Sequence, residues 1–297
     1  MAVRWVEGAV YHSVCLLASA LTLVGCGSEQ IVNPSFPITT DDARSEMRLM
    51  QDNRVQFERP VVVLGGIHDP GVAAPHIARV IRRTGTEDSR VISISFLTTW
   101  TFDQCRNRVI KVLDREFGEN GEPFTGEVDV VGMSMGGLVG RYSAIPRDDG
   151  RRIRIRRMCT ISSPHRGAKL AWLGFFDPRA HDMKPGSPFM VALDDALLND
   201  PYEIVPYVRL TDWIVGEQYA SPHNQTVYWL STPFLEGAHV AAHRDPRILG
   251  DICRRLRGET PFTVDPPTPL PSDEQPTNKD AAMPPADSLA QSSTTDS

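Results

Sequence analysis

Two rhythms of apolar positions alternate along the chain. Residues 61–64 (VVVL) form a continuous β-branched run between Pro60 and Gly65-Gly66, the pattern of a strand buried on both faces. Helical spacing takes over at Pro75, after which Ile77, Val80 and Ile81 make one stripe. A second strand is expected at 91–96, and Thr101 with Gln104 then reads as a capping box. The helix it opens carries Phe102, Cys105, Val109, Val112 and Leu113 on one face. Further strands are expected at 128–131, 158–161, 207–210 and 226–230, with a Gly-rich helix after the first of these. Asp245 and Pro246 cap and open a last helix containing Ile248, Leu249, Ile252 and Leu256. Ahead of the first strand, Thr40-Asp41-Asp42 starts a helix with acids in its first turn. This alternation predicts an α/β fold, a mainly parallel sheet with helices on both faces.

Three stretches break the rhythm. Residues 168–206 are helix-rich and carry Trp172, Phe175, Phe176, Phe189, Met190 and Leu193, so a helical cap insertion is expected there, its apolar face lining a pocket. The tail, 258–297, holds eight of the 24 prolines and seven acids against one base. It therefore carries the whole net charge of −6, leaves residues 1–257 neutral, and is expected to be disordered. A neutral remainder has no nucleic-acid footprint. At the other end, residues 14–24 are apolar or small but too few to span a membrane comfortably, and 1–25 reads as a signal peptide. The domain division is then a tether and helix over 26–57, a catalytic-type α/β domain over 58–257, and the tail. No CxxC or HExxH spacing occurs, so neither a metal nor a cofactor is expected.

The chemistry gathers at Gly132-Met133-Ser134-Met135-Gly136, a G-x-S-x-G pentapeptide lying between an expected buried strand and a helix. A sharp strand-to-helix turn would strain Ser134 and raise its hydroxyl clear of the sheet, at the positive end of a helix. Such a hydroxyl needs a base and an orienting acid, in the chain order Ser, acid, His. That order excludes His12, His68, His76, His165 and His181 and leaves His223, His239 and His243. His239 follows Gly237-Ala238 in the loop after the sixth strand, where the base belongs, although order alone does not separate it from His243. Asp212 stands at the carboxyl end of the fifth strand and is the expected acid, ahead of Asp194, Asp195 and Asp200 in the cap interval. Oxyanion donors are expected from the amides of Met135 and of Ile67 in the Gly65-Gly66 loop. The arginine run 151–157 (RRIRIRR) reads as a solvated approach to the fourth strand rather than a phosphate site.

On these residues the chain resembles α/β-hydrolase lipases and esterases, in particular bacterial triacylglycerol lipases and GPI inositol-deacylase-like hydrolases. The likeness lies in 128–144 (VDVVGMSMGGLVGRYSA), 160–171 (TISSPHRGAKLA), 182–193 (DMKPGSPFMVAL), 211–216 (TDWIVG) and 237–249 (GAHVAAHRDPRIL), in order across about 58–256. It departs where Gly65-Gly66 replaces a His-Gly, Met133 a His, and Ser163 a Thr. Those lipases tend to carry their base about seven residues before a Pro-Arg, the spacing of His239 from Pro246-Arg247. Leu23-Val24-Gly25-Cys26 likewise resembles the bacterial lipobox, which implies lipidation of Cys26 and, with Gly27 following, an outer-membrane, periplasmic or cell-surface lipoprotein. Cys105, Cys159 and Cys253 then remain, enough for one internal disulfide at most. The resemblance implies a serine carboxylic-ester hydrolase acting on acyl esters or lipids through an acyl-enzyme, with the membrane as its partner through Cys26. The alternatives are phospholipid or GPI-type deacylation, thioester hydrolysis or acyl transfer on the same three residues, or a non-catalytic binding lipoprotein.

Overall fold

The computed structural model describes residues 32–67, 69–168, 177–233 and 235–272. The signal segment, Cys26, His68, residues 169–176 of the expected cap and the tail beyond Ser272 lie outside the described residues. Strands β1 (Val61–Leu64), β2 (Val91–Ile94), β3 (Glu127–Met133), β4 (Arg154–Ile161), β5 (Glu203–Arg209) and β6 (Tyr228–Leu230) form one sheet in the order β2-β1-β3-β4-β5-β6. Every neighbouring pair is parallel. The helices are α1 (Thr40–Asp52), α2 (Ala73–Thr84), α3 (Phe102–Phe117), α4 (Met135–Ala144), α5 (Pro178–Asp182), α6 (Pro188–Asn199), α7 (Ala238–Ala241) and α8 (Pro246–Leu256).

Because successive strand residues point to opposite faces, the β-branched runs bury both sides of the sheet at once. Val61, Val63, Val131, Cys159, Ile161 and Tyr207 pack with Met50 of α1, Ile77 and Ile81 of α2, and Ile248 and Ile252 of α8. Val62, Leu64, Val130 and Met158 meet Val109 and Leu113 of α3, Leu138 of α4 and Leu193 of α6. From β1 the chain goes to β2 on one side and then returns to β3 on the other. The loops after β1 and β3 diverge over the carboxyl edge of the sheet, the crevice in which open α/β sheets hold ligands.

Strand β5 begins four residues before the expected start and takes in Pro206, which lies opposite Thr160. In this register the odd-numbered Tyr207 carbonyl bonds the β4 side and the even-numbered Leu210 amide bonds the β6 side. The donor that Pro206 lacks would therefore face β6, which pairs only from Tyr207 onward. No ladder bond is lost.

Two expectations about the cap and the ends need correction. The apolar face of α6 mainly fills core in the described residues, and where Leu193, Ala196 and Leu197 do line a cavity of about 290 Å³ with Ala144 and Tyr202, none of Ser134, Asp212 and His239 borders it. Met190 and Leu193 are buried, and Phe189 stacks on Phe102 with ring centroids 4.1 Å apart. The expected tail is packed through residue 272. Thr263 donates its amide to Asp251 at 2.8 Å, Leu270 is buried beside Val208 and Trp229, and the Thr268 and Pro269 carbonyls accept from Trp229 Nε1 at 3.0 Å. The expected tether is held as well. Asn33 Nδ2 donates to the Trp229 carbonyl at 2.7 Å, and Phe36 is buried between Tyr207 and Tyr228. Both segments cover the free edge of β6, whose unpaired backbone would otherwise face solvent. Cys105, Cys159 and Cys253 are all buried and unpaired. No helix among the described residues is long and apolar enough to cross a membrane.

Candidate active site

Ser134 follows the last residue of β3 and precedes the first of α4, with φ 53° and ψ −126°. A non-glycine residue there is strained, at a cost of order 1–3 kcal/mol, and persists only where the surroundings over-determine it. The surroundings here are backbone. A Cβ at Gly136 would lie 2.3 Å from the Leu64 carbonyl oxygen, and one at Gly132 would lie 2.6 Å from the Gly137 Cα. Helix α4 can thus approach β1 and β3 only because both positions lack side chains. The Ser134 amide donates to the Ile161 carbonyl at 2.9 Å, which fixes the turn against β4.

The structure brings Ser134, His239 and Asp212 together from three separate loops at the carboxyl edge. His239 Nε2 lies 3.0 Å from Ser134 Oγ, and its Nδ1 lies 2.9 Å from Asp212 Oδ2. His239 sits on the one-turn helix α7 rather than in an open loop, and Gly237 is its N-cap. The other Asp212 oxygen, Oδ1, accepts from the amides of Ile214 at 3.1 Å and Val215 at 3.0 Å. Asp212 is 1% exposed, and burial alone would raise its carboxyl. The hydrogen bond and charge of His239, the Val215 amide and the Ser162 hydroxyl outweigh that and hold it below the usual carboxylate range. Asp212 is therefore ionised at neutral pH and can accept only, which assigns the proton of a neutral His239 to Nδ1 and leaves Nε2 to accept from Ser134.

The competing residues have other partners. His243 is buried with its ring edge-on to His76 at 5.7 Å, and its Nε2 accepts from Arg244 Nε at 3.1 Å. Burial and Arg244 keep it neutral by lowering its pKa, but it makes no bond to Ser134. Asp194 pairs with the buried Arg141 at 2.7 Å and stands 3.5 Å from the exposed His223, while Asp200 pairs with Arg152. Arg141 also donates to the His165 carbonyl at 3.2 Å, so this group ties α6 to α4 and the loop after β4. In the arginine run, Arg151 bonds Asp114 and Arg157 bonds Glu203.

The Met135 amide opens α4 and has no intrahelical acceptor, like every first-turn N–H. The amides of Gly66 and Ile67 donate to no group among the described residues. The Gly66 backbone lies against Ser134: a Cβ there would stand 3.2 Å from Ser134 Cβ. Sequence reasoning gave Asp69 no role, yet it organises this loop. Its Oδ1 accepts from Gly71, Val72 and Ala73 amides at 2.8–3.2 Å and its Oδ2 from Ala74 at 3.2 Å, capping α2. The Asp-Pro-Gly turn before an apolar helix was the available signal.

No family model matches the chain, and no curated protein sequence matches it. Solved structures do share its fold. Phospholipase PlaB from Legionella pneumophila superposes with a TM-score of 0.51 at 11% identity, over 68% of this chain and 60% of that one. Lipase B from Aspergillus fumigatus superposes with a TM-score of 0.50 at 16% identity, over 73% of this chain and 56% of that one. The chain thus spans less than two thirds of the length of either. Likeness at such identities concerns architecture alone, and with the six-stranded parallel sheet and its helices it establishes that this chain has the α/β-hydrolase fold.

Proposed function

We propose that the protein is a serine carboxylic-ester hydrolase acting on lipid-like acyl esters. The observation that carries this reading is the unbroken hydrogen-bonded line from Asp212 through His239 to a strained Ser134, with unpaired amides beside it. A binding module has no use for such an arrangement. Ser134 Oγ attacks the ester carbonyl as His239 Nε2 takes its proton, and Asp212 stabilises the imidazolium that forms. The carbonyl oxygen becomes an anion facing the Met135 amide and an amide of the Gly66-Ile67 loop. Collapse breaks the bond to the alcohol, which leaves with the proton from His239. A water then gives its proton to the same nitrogen and its oxygen to the acyl carbon, and the acid departs as Ser134 regains its hydrogen. The second reading, phospholipid deacylation by the same steps, draws on the phospholipase among the structural neighbours.

The apolar run ended by Leu23-Val24-Gly25-Cys26 supports a lipid anchor at Cys26 and a place on the outer membrane or cell surface. The test is a panel of p-nitrophenyl esters and a diacyl phospholipid, with fluorophosphonate labelling of wild type and Ser134→Ala. Labelling and turnover in wild type, with neither in the variant, are expected. Turnover that survives in Ser134→Ala would overturn the assignment.

A further inference from the structure

All six strands run parallel, so their carboxyl ends and the loops leaving them lie at one end of the molecule. Most of the large apolar side chains exposed among the described residues belong to those loops. Val72 and Leu97 are about half exposed, Trp100 is 57% exposed, Trp213 76%, Leu235 91% and Val240 66%. They come from four different loops, those after β1, β2, β5 and β6, which also carry the Gly66-Ile67 amides, Asp212 and His239. Two tryptophans and four aliphatic side chains around one polar centre make no sense as core, since nothing among the described residues covers them. Water is a poor neighbour for such a group, and clustered apolar exposure of this kind marks a contact surface.

The chain's own N-terminus indicates the occupant. Asn33 is pinned to the carbonyl of Trp229, one residue before the carboxyl end of β6, beside the loop bearing Leu235 and Val240. Cys26 lies seven residues earlier, a reach of at most about 24 Å at roughly 3.4 Å per residue. A lipid at Cys26 would therefore hold the rim close to the bilayer. We propose that this rim docks against the lipid bilayer that carries the chain's own N-terminus, so that Ser134 opens toward that leaflet. Tryptophan suits such a boundary, with an apolar body for the acyl region and an N–H for the wet side. The inference rests on the hydrolase and anchor readings above, and its test separates from theirs.

The full chain is reconstituted into phosphatidylcholine vesicles, which carry no net charge, with and without bromine on the acyl chains. Three exposed side chains that have no hydrogen bond to Ser134, Asp212 or His239 are changed together, Leu97→Ser, Trp100→Ser and Leu235→Ser, and folding is checked by melting. Trp100→Phe reports how much of the signal comes from that residue. Brominated lipid is expected to quench the wild-type tryptophan emission, with more than half of the quenching lost in the triple variant and less in Trp100→Phe, which keeps Trp213 at the rim. Hydrolysis of a bilayer ester should fall about tenfold or more in the triple variant, while a water-soluble short ester is cleaved within about twofold of wild type. Wild-type emission that brominated lipid leaves untouched would overturn the docking, as would quenching in the triple variant equal to that in wild type. A rim change that instead splits a dimer in sedimentation would reassign the surface to a second copy and equally overturn it. Quenching without any ester hydrolysis would leave the docking standing and remove the hydrolase reading.

Discussion

Asp212→Asn is the most searching perturbation of the site, because the backbone dictates how the new amide must turn. Asp212 Oδ1 accepts two amides, from Ile214 and Val215, whereas Oδ2 faces His239 Nδ1. An Asn that aimed its NH2 at the two backbone donors would lose both bonds, each with a net value of about 0.5–1.5 kcal/mol, and bring hydrogens together. It therefore aims its carbonyl there and its NH2 at His239. The imidazole keeps a bond only by accepting at Nδ1, which moves its proton to Nε2, opposite Ser134 Oγ. Nothing remains to take the serine proton. A wrong tautomer in an otherwise intact site costs about 10⁴ in kcat in the serine-protease example, or about 5 kcal/mol of barrier. The expected result is a loss of that order on p-nitrophenyl butyrate, with KM changed only a few-fold, a melting temperature close to wild type, and fluorophosphonate labelling slowed in step. A folded Asp212→Asn protein that keeps a tenth of wild-type kcat would refute the orienting role.

His239→Ala should lower kcat by about three or more orders of magnitude, and His243→Ala by about tenfold or less, since His243 turns its ring to His76 and Arg244. The opposite ranking in folded proteins would move the base. Gly136→Ala drives a methyl into the Leu64 and Gly65 carbonyl oxygens, and neither backbone can give way. A loss of about 3 kcal/mol and a fall in Tm of roughly 6–12 °C are expected, and an unchanged melt would contradict the packing argument. Stability should also fall on acidification from about pH 6.5, the ordinary His value. Burial, with nearby arginines, lowers His165 well below that value and lowers His76 and His243 as well. In that window the unfolded chain binds protons that the folded one refuses, up to about 1.4 kcal/mol per pH unit for each group. Asp212, held low, keeps its contribution until the pH drops through its depressed value. Urea midpoints at pH 7.5 and 5 should diverge more in wild type than in His165→Gln, and parallel shifts would show that His165 is not the source.

Much of the site was legible because its chemistry is tied to local pattern. A β-branched run followed by G-x-S-x-G specifies a turn that only small residues allow, and Gly132 and Gly136 meet backbone where side chains would stand. Asp212 was legible from its place at a strand end. The base was less so: His239 and His243 differ by one helical turn, and it is the fold that separates them, turning His239 to Ser134 and Asp212 and the ring of His243 to His76. Asp69 went unread although the Asp-Pro-Gly turn marks it, because its role is to collect amides of its own loop and of the first turn of α2 rather than to meet a substrate.

The ends of the domain were misjudged for a different physical reason. Counting apolar residues asks whether a segment can bury enough surface to offset its ordering entropy, and residues 33–38 and 258–272 cannot do so alone. They are ordered by what they meet. β6 is only three residues long and leaves the carbonyl of Trp229 and the ring N–H of the same residue without partners from the sheet. Asn33 satisfies the first, and Thr268 with Pro269 the second. Ser35 and Thr268 then bond each other in both directions, at 2.8 Å and 3.2 Å, closing the two segments into one strap. Buried polar groups of this kind cost about 1–3 kcal/mol each if left unmet, so the edge supplies the missing driving force that composition does not contain. The loop bearing His239 leaves β6 directly beyond that strap. The strand end from which His239 is presented is thus held by residues that looked, by composition, as though they belonged to no fold at all.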